Sequence, residues 1–166
     1  MRFLQSFVVA IVLRFVHAAL IELRALDSRV AKEFERMPEG LSYAIHTGHN
    51  GPSLYVEWNG RELLRLPSLA HPGCALRIKS MPLSFQLFTG QMGLSQAYAR
   101  HAFTMGGEVA DVMRLARLVN LVEAYLFPKI MTRRIMTDVP ETEVCFLRAY
   151  ARILLGFLTC KYKLSK

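Results

Sequence analysis

Residues 74–108 read CALRIKSMPLSFQLFTGQMGLSQAYARHAFTMGGE, and this stretch decides the fold class. Cys74 to Ser80 alternates. Leu76 and Ile78 fall on one side of an extended chain and Arg77 and Lys79 on the other, the period-two pattern of a strand with one face on a core. Ser80 stands where a helix cap belongs and Pro82 sits in the first turn, so a short helix is expected over 81–89, stopped by Gly90. A second short helix is expected from Gly93 to Arg100. Ala102–Met105 returns to an extended strand, closed by Gly106-Gly107. Glu108 then brings a negative charge to the positive end of the next helix, which runs to about Leu126 before Pro128. Strands and helices mixed at this density describe an α+β domain.

On the N-terminal side the strand pattern continues. Leu41–Thr47 reads as a strand, His49-Asn-Gly-Pro52 as a turn, and Ser53–Trp58 as a strand in which Leu54, Val56 and Trp58 alternate with Tyr55 and Glu57. Asn59-Gly60 is a strong hairpin signal, and Arg61–Leu66 is the returning strand. With Pro67–Gly73 as a loop, the segment to Ser80 is expected to be an antiparallel meander of about four strands. The fold class is therefore a roughly five-stranded, mostly antiparallel sheet covered by helices. One domain over 1–166 is expected: an N-terminal helical region at 1–40, a core at 41–128, and C-terminal helices at 129–166.

Residues 2–36 read as helix, with a break near Ala25–Ser28, because Asp27-Ser28 forms a good cap for a second helix; Met37-Pro-Glu-Gly40 ends it. On a helical wheel Leu4, Phe7, Val8, Ile11, Phe15, Ala18 and Ala19 share one face. Arg2, Ser6, Arg14, His17 and Arg24 lie on the other. Three readings fit: a packed helix, a helix lying on a membrane surface, and a signal peptide with Val16-His-Ala18 as its cleavage site. Arg14 and His17 interrupt the apolar run before it reaches the roughly 20 residues of a bilayer span. Beyond Pro128, helices are expected near Lys129–Met136 and Glu141–Cys160.

Composition narrows the function classes. Hydrophobic residues are 52% and charged residues 20% of the chain, which excludes a disordered protein. The formal net charge of +8 favours anionic surfaces. No homeodomain-like, zinc-finger or RNP-like pattern accompanies it, so no nucleic-acid partner is expected. Cys74, Cys145 and Cys160 are odd in number and widely spaced, which speaks against a disulfide framework and a zinc site and for a reduced, cytoplasmic protein. No phosphate-binding glycine loop and no nucleophile elbow occurs. His46 and His49 lack a third metal ligand at sensible spacing, since His71 and His101 fall elsewhere. Glu57, Glu62 and Glu108 are lone acids without a partner for acid–base work. Neither an enzyme nor a cofactor or metal site is expected.

Large flexible apolar residues are dense after residue 80. Phe85, Leu87, Phe88 and Met92 come first, then Tyr98, Phe103 and Met105. The long helix adds Val109, Met113, Leu118, Leu121, Val122 and Tyr125, and the last helix Phe146, Tyr150, Ile153, Leu154 and Phe157. Stripes of this kind fill a core or line a ligand cavity, and Met suits ligands of varied shape.

The segment from Leu54 to about Pro128 resembles the sterol carrier protein type 2 family. The resemblance begins at Leu54-Tyr-Val-Glu-Trp58-Asn-Gly60 and continues through Cys74–Ser80. It is most specific at Phe88-Thr-Gly90-Gln-Met92, Gln96-Ala97, and Ala102-Phe-Thr-Met-Gly106-Gly107-Glu108. The resemblance implies an apolar tunnel between sheet and helices that takes sterols, fatty acyl chains, phospholipids or isoprenoid-quinone intermediates, without catalysis. It implies Phe85, Phe88, Met92, Phe103, Met105 and Met113 as tunnel walls; the apolar stripes add Tyr98, Leu121 and Tyr125 as lipid-binding residues. A polar head would meet Arg77, Lys79 or Tyr98 at a tunnel mouth. The expected partners are an apolar lipid and, through the basic surface, an anionic membrane or a lipid-metabolising enzyme. The alternative function is a peripheral accessory module that docks through its N-terminal amphipathic helix. The family's usual Gly-Asp before the long helix is Gly107-Glu108 here. The longer N-terminal helix and the C-terminal helical tail are further departures that alter the tunnel.

Overall fold

A computed structural model of the chain describes residues 2–127, Thr132 and residues 142–158. The elements in order are α1 (Arg2–Arg24), α2 (Ser28–Glu35), β1 (Ser42–Thr47), β2 (Ser53–Trp58), β3 (Leu63–Leu66) and β4 (Cys74–Ile78). They continue with α3 (Met81–Phe88), α4 (Leu94–Ala99), β5 (Phe103–Gly107), α5 (Val109–Leu126) and α6 (Phe146–Leu158). The helix expected near Lys129–Met136 lies outside the described residues apart from Thr132.

The five strands form one sheet in the order β3-β2-β1-β4-β5. Three of its four pairings are antiparallel, and β1 pairs with β4 in parallel. The four-strand meander is thus corrected: β4 does not pair with β3 but crosses to the far side of β1. The reason lies in β1. Tyr43, Ala44 and Ile45 are all buried, so this strand needs neighbours on both edges. The seven residues 67–73 make the crossing. At roughly 3.3 Å each they can reach ~23 Å, against ~14 Å for three strand spacings.

Registration puts Tyr43, Ile45 and Thr47 on one face with Leu54, Val56 and Trp58, and beside Cys74, Leu76 and Ile78. The helices cover this face. The other face carries Ser42, His46, Tyr55, Glu57 and Arg77. Gly107 holds φ at +129°, and a Cβ there would stand 2.5 Å from the Gly73 carbonyl oxygen, so β5 can close on β4 only with glycine at this position.

α1 is the spine of the helical layer. Val9, Leu13, Leu20 and Leu23 recur at helical spacing and are buried, with Ala18 and Ala19 allowing close approach. This differs from the apolar face drawn on the wheel: Leu4, Phe7 and Ile11 are exposed, while His17 is buried. Phe15, Ala18 and Ala19 of that face do pack inward, but the helix is apolar around most of its circumference, so the wheel marked the packing side only in part. His17 Nε2 lies 3.0 Å from the Leu63 carbonyl oxygen. Burial lowers its pKa, which keeps the ring neutral.

Polar links tie the helices together. Asp27 caps α2 through the Arg29 N–H at 2.9 Å, receives the Arg29 guanidinium at 2.7 Å, and accepts from the Tyr125 hydroxyl at 2.7 Å. That hydroxyl in turn accepts from the Glu143 N–H at 3.0 Å. Burial disfavours the Asp27 carboxylate, but the bonds from Arg29 and Tyr125 outweigh it and the pKa is lowered. Arg117 of α5 forks onto Glu33 of α2 at 2.8 and 3.0 Å, and Arg152 of α6 reaches Glu22 of α1 at 3.0 Å.

Asp27→Ala removes a helix cap, about 1 kcal/mol, and orphans a buried hydroxyl, about 1–3 kcal/mol. A loss of roughly 2–4 kcal/mol is expected by chemical denaturation, whereas Tyr125→Phe is expected to cost about 1 kcal/mol.

Candidate functional site

Between the covered face of the sheet and the helices the packing leaves an apolar slot of about 50 Å³. Its sheet side is Ile45 of β1 and Leu76 of β4, neighbours in the parallel pair. Val12, Val16 and Leu20 of α1 form one flank. Leu87 and Phe88 of α3 and Leu94 of α4 form another. α5 contributes Leu115, Leu118, Val119 and Val122, then Glu123, with Leu126 and Phe127 at its end.

The local sequence explains each contribution. Leu115, Leu118 and Val122 follow the three-and-four spacing that puts residues on one helical face. α3 and α4 are two short helices separated by Gly90-Gln-Met-Gly93, so each presents only a residue or two to the interior. Leu76 faces inward because β4 alternates, with Arg77 on the opposite face.

Glu123 is the sole polar side chain among the described lining residues. It is 7% exposed, and its Oε2 has no hydrogen-bond partner. Burial pushes its pKa up to about 7. Sequence reading passed over Glu123. The available signal was a charge inside the apolar stripe of α5, four residues after Val119 and one after Val122.

Of the nine residues expected to line a tunnel, Phe88 stands on the slot wall. Met92 and Phe103 are buried in the core, and Phe85, Met105 and Leu121 pack against it partly buried. Tyr125 is fully buried, with its hydroxyl committed to Asp27. Tyr98 is 72% and Met113 52% exposed. Arg77 and Lys79, expected at a mouth, are exposed, Arg77 on the face of the sheet away from the slot.

A larger cleft, about 270 Å³, lies at the β3 edge against α1. Its walls mix Phe34, Trp58 and Leu63 with Arg24, Glu62 and Arg65. Charged walls suit a hydrocarbon badly, and the smaller slot is the more apolar of the two. Burial pushes the Cys74 thiol up to about 11, and among the described residues no three potential metal ligands stand close enough to hold an ion.

No family model matches the chain, and no curated protein sequence matches it. Solved structures do. A UbiJ-SCP2 ubiquinone synthesis protein is 14% identical, with a TM-score of 0.38 over 58% of this chain and 91% of its own. Sterol carrier protein 2 like 2 from Aedes aegypti is 10% identical, with a TM-score of 0.36 over 58% and 94%. The conserved hypothetical protein TT1886 from Thermus thermophilus is 13% identical, with a TM-score of 0.42 over 76% and 90%. The first two carry SCP2 in their descriptions, and the third is described as possibly a sterol carrier protein. Likenesses of this strength say nothing about what this chain binds.

Glu123 makes stability depend on pH. Its pKa is about 7 folded against an ordinary 4.5, so the folded protein holds the proton longer. The stabilising effect of the neutral carboxyl is complete below 4.5 and is lost as pH rises through about 7. The loss is roughly 3 kcal/mol. Glu123→Gln is expected to abolish that slope, measured as unfolding free energy on both sides of this window.

Proposed function

We propose that this chain binds the hydrocarbon part of an amphipathic lipid in the slot between sheet and helices, and carries or presents it without catalysing its conversion. The observation that supports the reading is a gap in mid-core whose walls are apolar on every side but one residue. Preferred occupants are the classes that the resemblance to the sterol carrier protein type 2 family implies: sterol, fatty acyl, phospholipid or isoprenoid-quinone intermediate.

Size sets how the slot would work. At 10–15 Å³ for each water-sized sphere, about 50 Å³ holds only a few small groups. A longer tail enters as α3 and α4 move away from α5. Each methylene removed from water contributes about 0.8 kcal/mol, so a dozen give on the order of 10 kcal/mol gross. Association and ordering subtract much of it. Since one methylene changes affinity little, chain-length selectivity would be weak. Native mass spectrometry of the purified protein is expected to show a lipid at one per chain. Protein free of lipid that also takes up no added oleate overturns the reading.

A second reading has an observation of its own. Phe3, Leu4 and Phe7 of α1 are 86%, 66% and 57% exposed, and Leu155 and Leu158 of α6 are 61% and 65% exposed. Residues 1–21 contain Arg2 and Arg14 and no acid. An apolar helix end with positive charge fits the surface of an anionic bilayer, where each cation adds about 1 kcal/mol. The double change Phe3→Ser and Phe7→Ser is expected to reduce sedimentation with phosphatidylserine vesicles severalfold while leaving the fold intact. Equal sedimentation of variant and parent removes this reading.

A further inference from the structure

We infer that the Glu123 carboxyl is the polar anchor of the slot, and that the slot's ligand is an apolar molecule whose hydroxyl group hydrogen-bonds Glu123 Oε2 inside the hydrocarbon interior. The inference rests on the lipid-binding reading and goes further, because it puts the ligand's polar atom in the core rather than at a mouth in water.

Three observations lead to it. Glu123 sits among fourteen apolar residues on the slot wall. Its side chain is more than nine-tenths buried, and Oε2 has no partner. The ion pairs among the described residues use other acids: Asp27, Glu143, Asp111, Glu33 and Glu22. A buried polar atom without a partner destabilises the folded state, and native proteins satisfy nearly all such atoms. An acid kept at such a site calls for a guest that completes it.

The chemistry selects the guest. Burial favours the neutral carboxyl, which both donates and accepts; a hydroxyl does the same, so the pair satisfies itself without moving a charge into the core. An ammonium ion would have to shed its water in apolar surroundings, which a single carboxylate compensates poorly. A plain hydrocarbon would leave Oε2 orphaned.

The test uses short ligands, which ask less movement of the helices than a long tail does. Hexan-1-ol and 1-chlorohexane have the same number of heavy atoms and differ in the hydroxyl. Their binding to the full chain is measured by headspace partition for the parent and for Glu123→Leu and Glu123→Met, two apolar replacements that guard against one failing to fold. Both variants are expected to weaken hexan-1-ol about tenfold and to leave 1-chlorohexane equal or tighter. If both ligands change in parallel, the carboxyl is satisfied by water alone and the anchor is wrong, though the lipid reading stands. If hexylamine binds the parent more tightly than hexan-1-ol, the site is cationic in preference and the hydroxyl assignment falls. If neither short ligand binds the parent, the anchor falls here too, and the oleate measurement decides separately whether the slot takes lipid.

Discussion

A sheet with one apolar face must be covered, and the way α1 covers this one shapes everything above it. Val9, Leu13, Leu20 and Leu23 press the helix into the core over the sheet. α3, α5 and α6 then dock against α1. Four helices of different length, α1, α3, α4 and α5, meeting over a surface that twists, cannot fill the space between them with side chains alone. The apolar slot is what remains at their junction, bounded by residues from six elements.

The helices are held at that junction by polar contacts on its outside. Asp27 brings the start of α2 and the end of α5 to one carboxylate, and the Tyr125 hydroxyl that it holds accepts the Glu143 N–H on the approach to α6. Glu33 with Arg117 and Glu22 with Arg152 add two further clamps between helices. None of these groups lines the slot, so among the described residues its wall carries a single acid while the cover is fastened from the periphery. This division permits a loosely filled interior without a loosely held fold.

Most elements were legible in the sequence, because their signals are local. Asp27-Ser28 announced the α1–α2 break, Asn59-Gly60 the hairpin, and Gly107-Glu108 the passage from β5 into α5. What escaped was non-local. The partner of β4 depends on β1 having two buried edges, a property of the assembled sheet. The packing side of α1 was hidden because its apolar residues run nearly all round. At the slot, Phe88 was legible because it lies in the stretch that most resembles the sterol carrier protein type 2 family. Ile45, Leu76 and Leu115 looked like ordinary core, which they also are. Tyr98 and Met113 have the right chemistry for a lipid wall, yet their helical phase turns them to solvent. Glu123 was the opposite case: its chemistry looked wrong for the interior, and its helical phase put it there.

Trp58 is the chain's lone tryptophan. It is buried, with the Arg24 guanidinium 4.6 Å above its ring and Phe34 5.1 Å away. A single indole enclosed at the meeting of α1, α2 and the sheet gives the molecule one intrinsic fluorophore, at the margin of the charged cleft rather than in the slot. Its emission would therefore follow whether α1 remains seated and would be blind, to first order, to what the interior contains. Spectroscopically, attachment of the spine and occupancy of the cavity are separate channels.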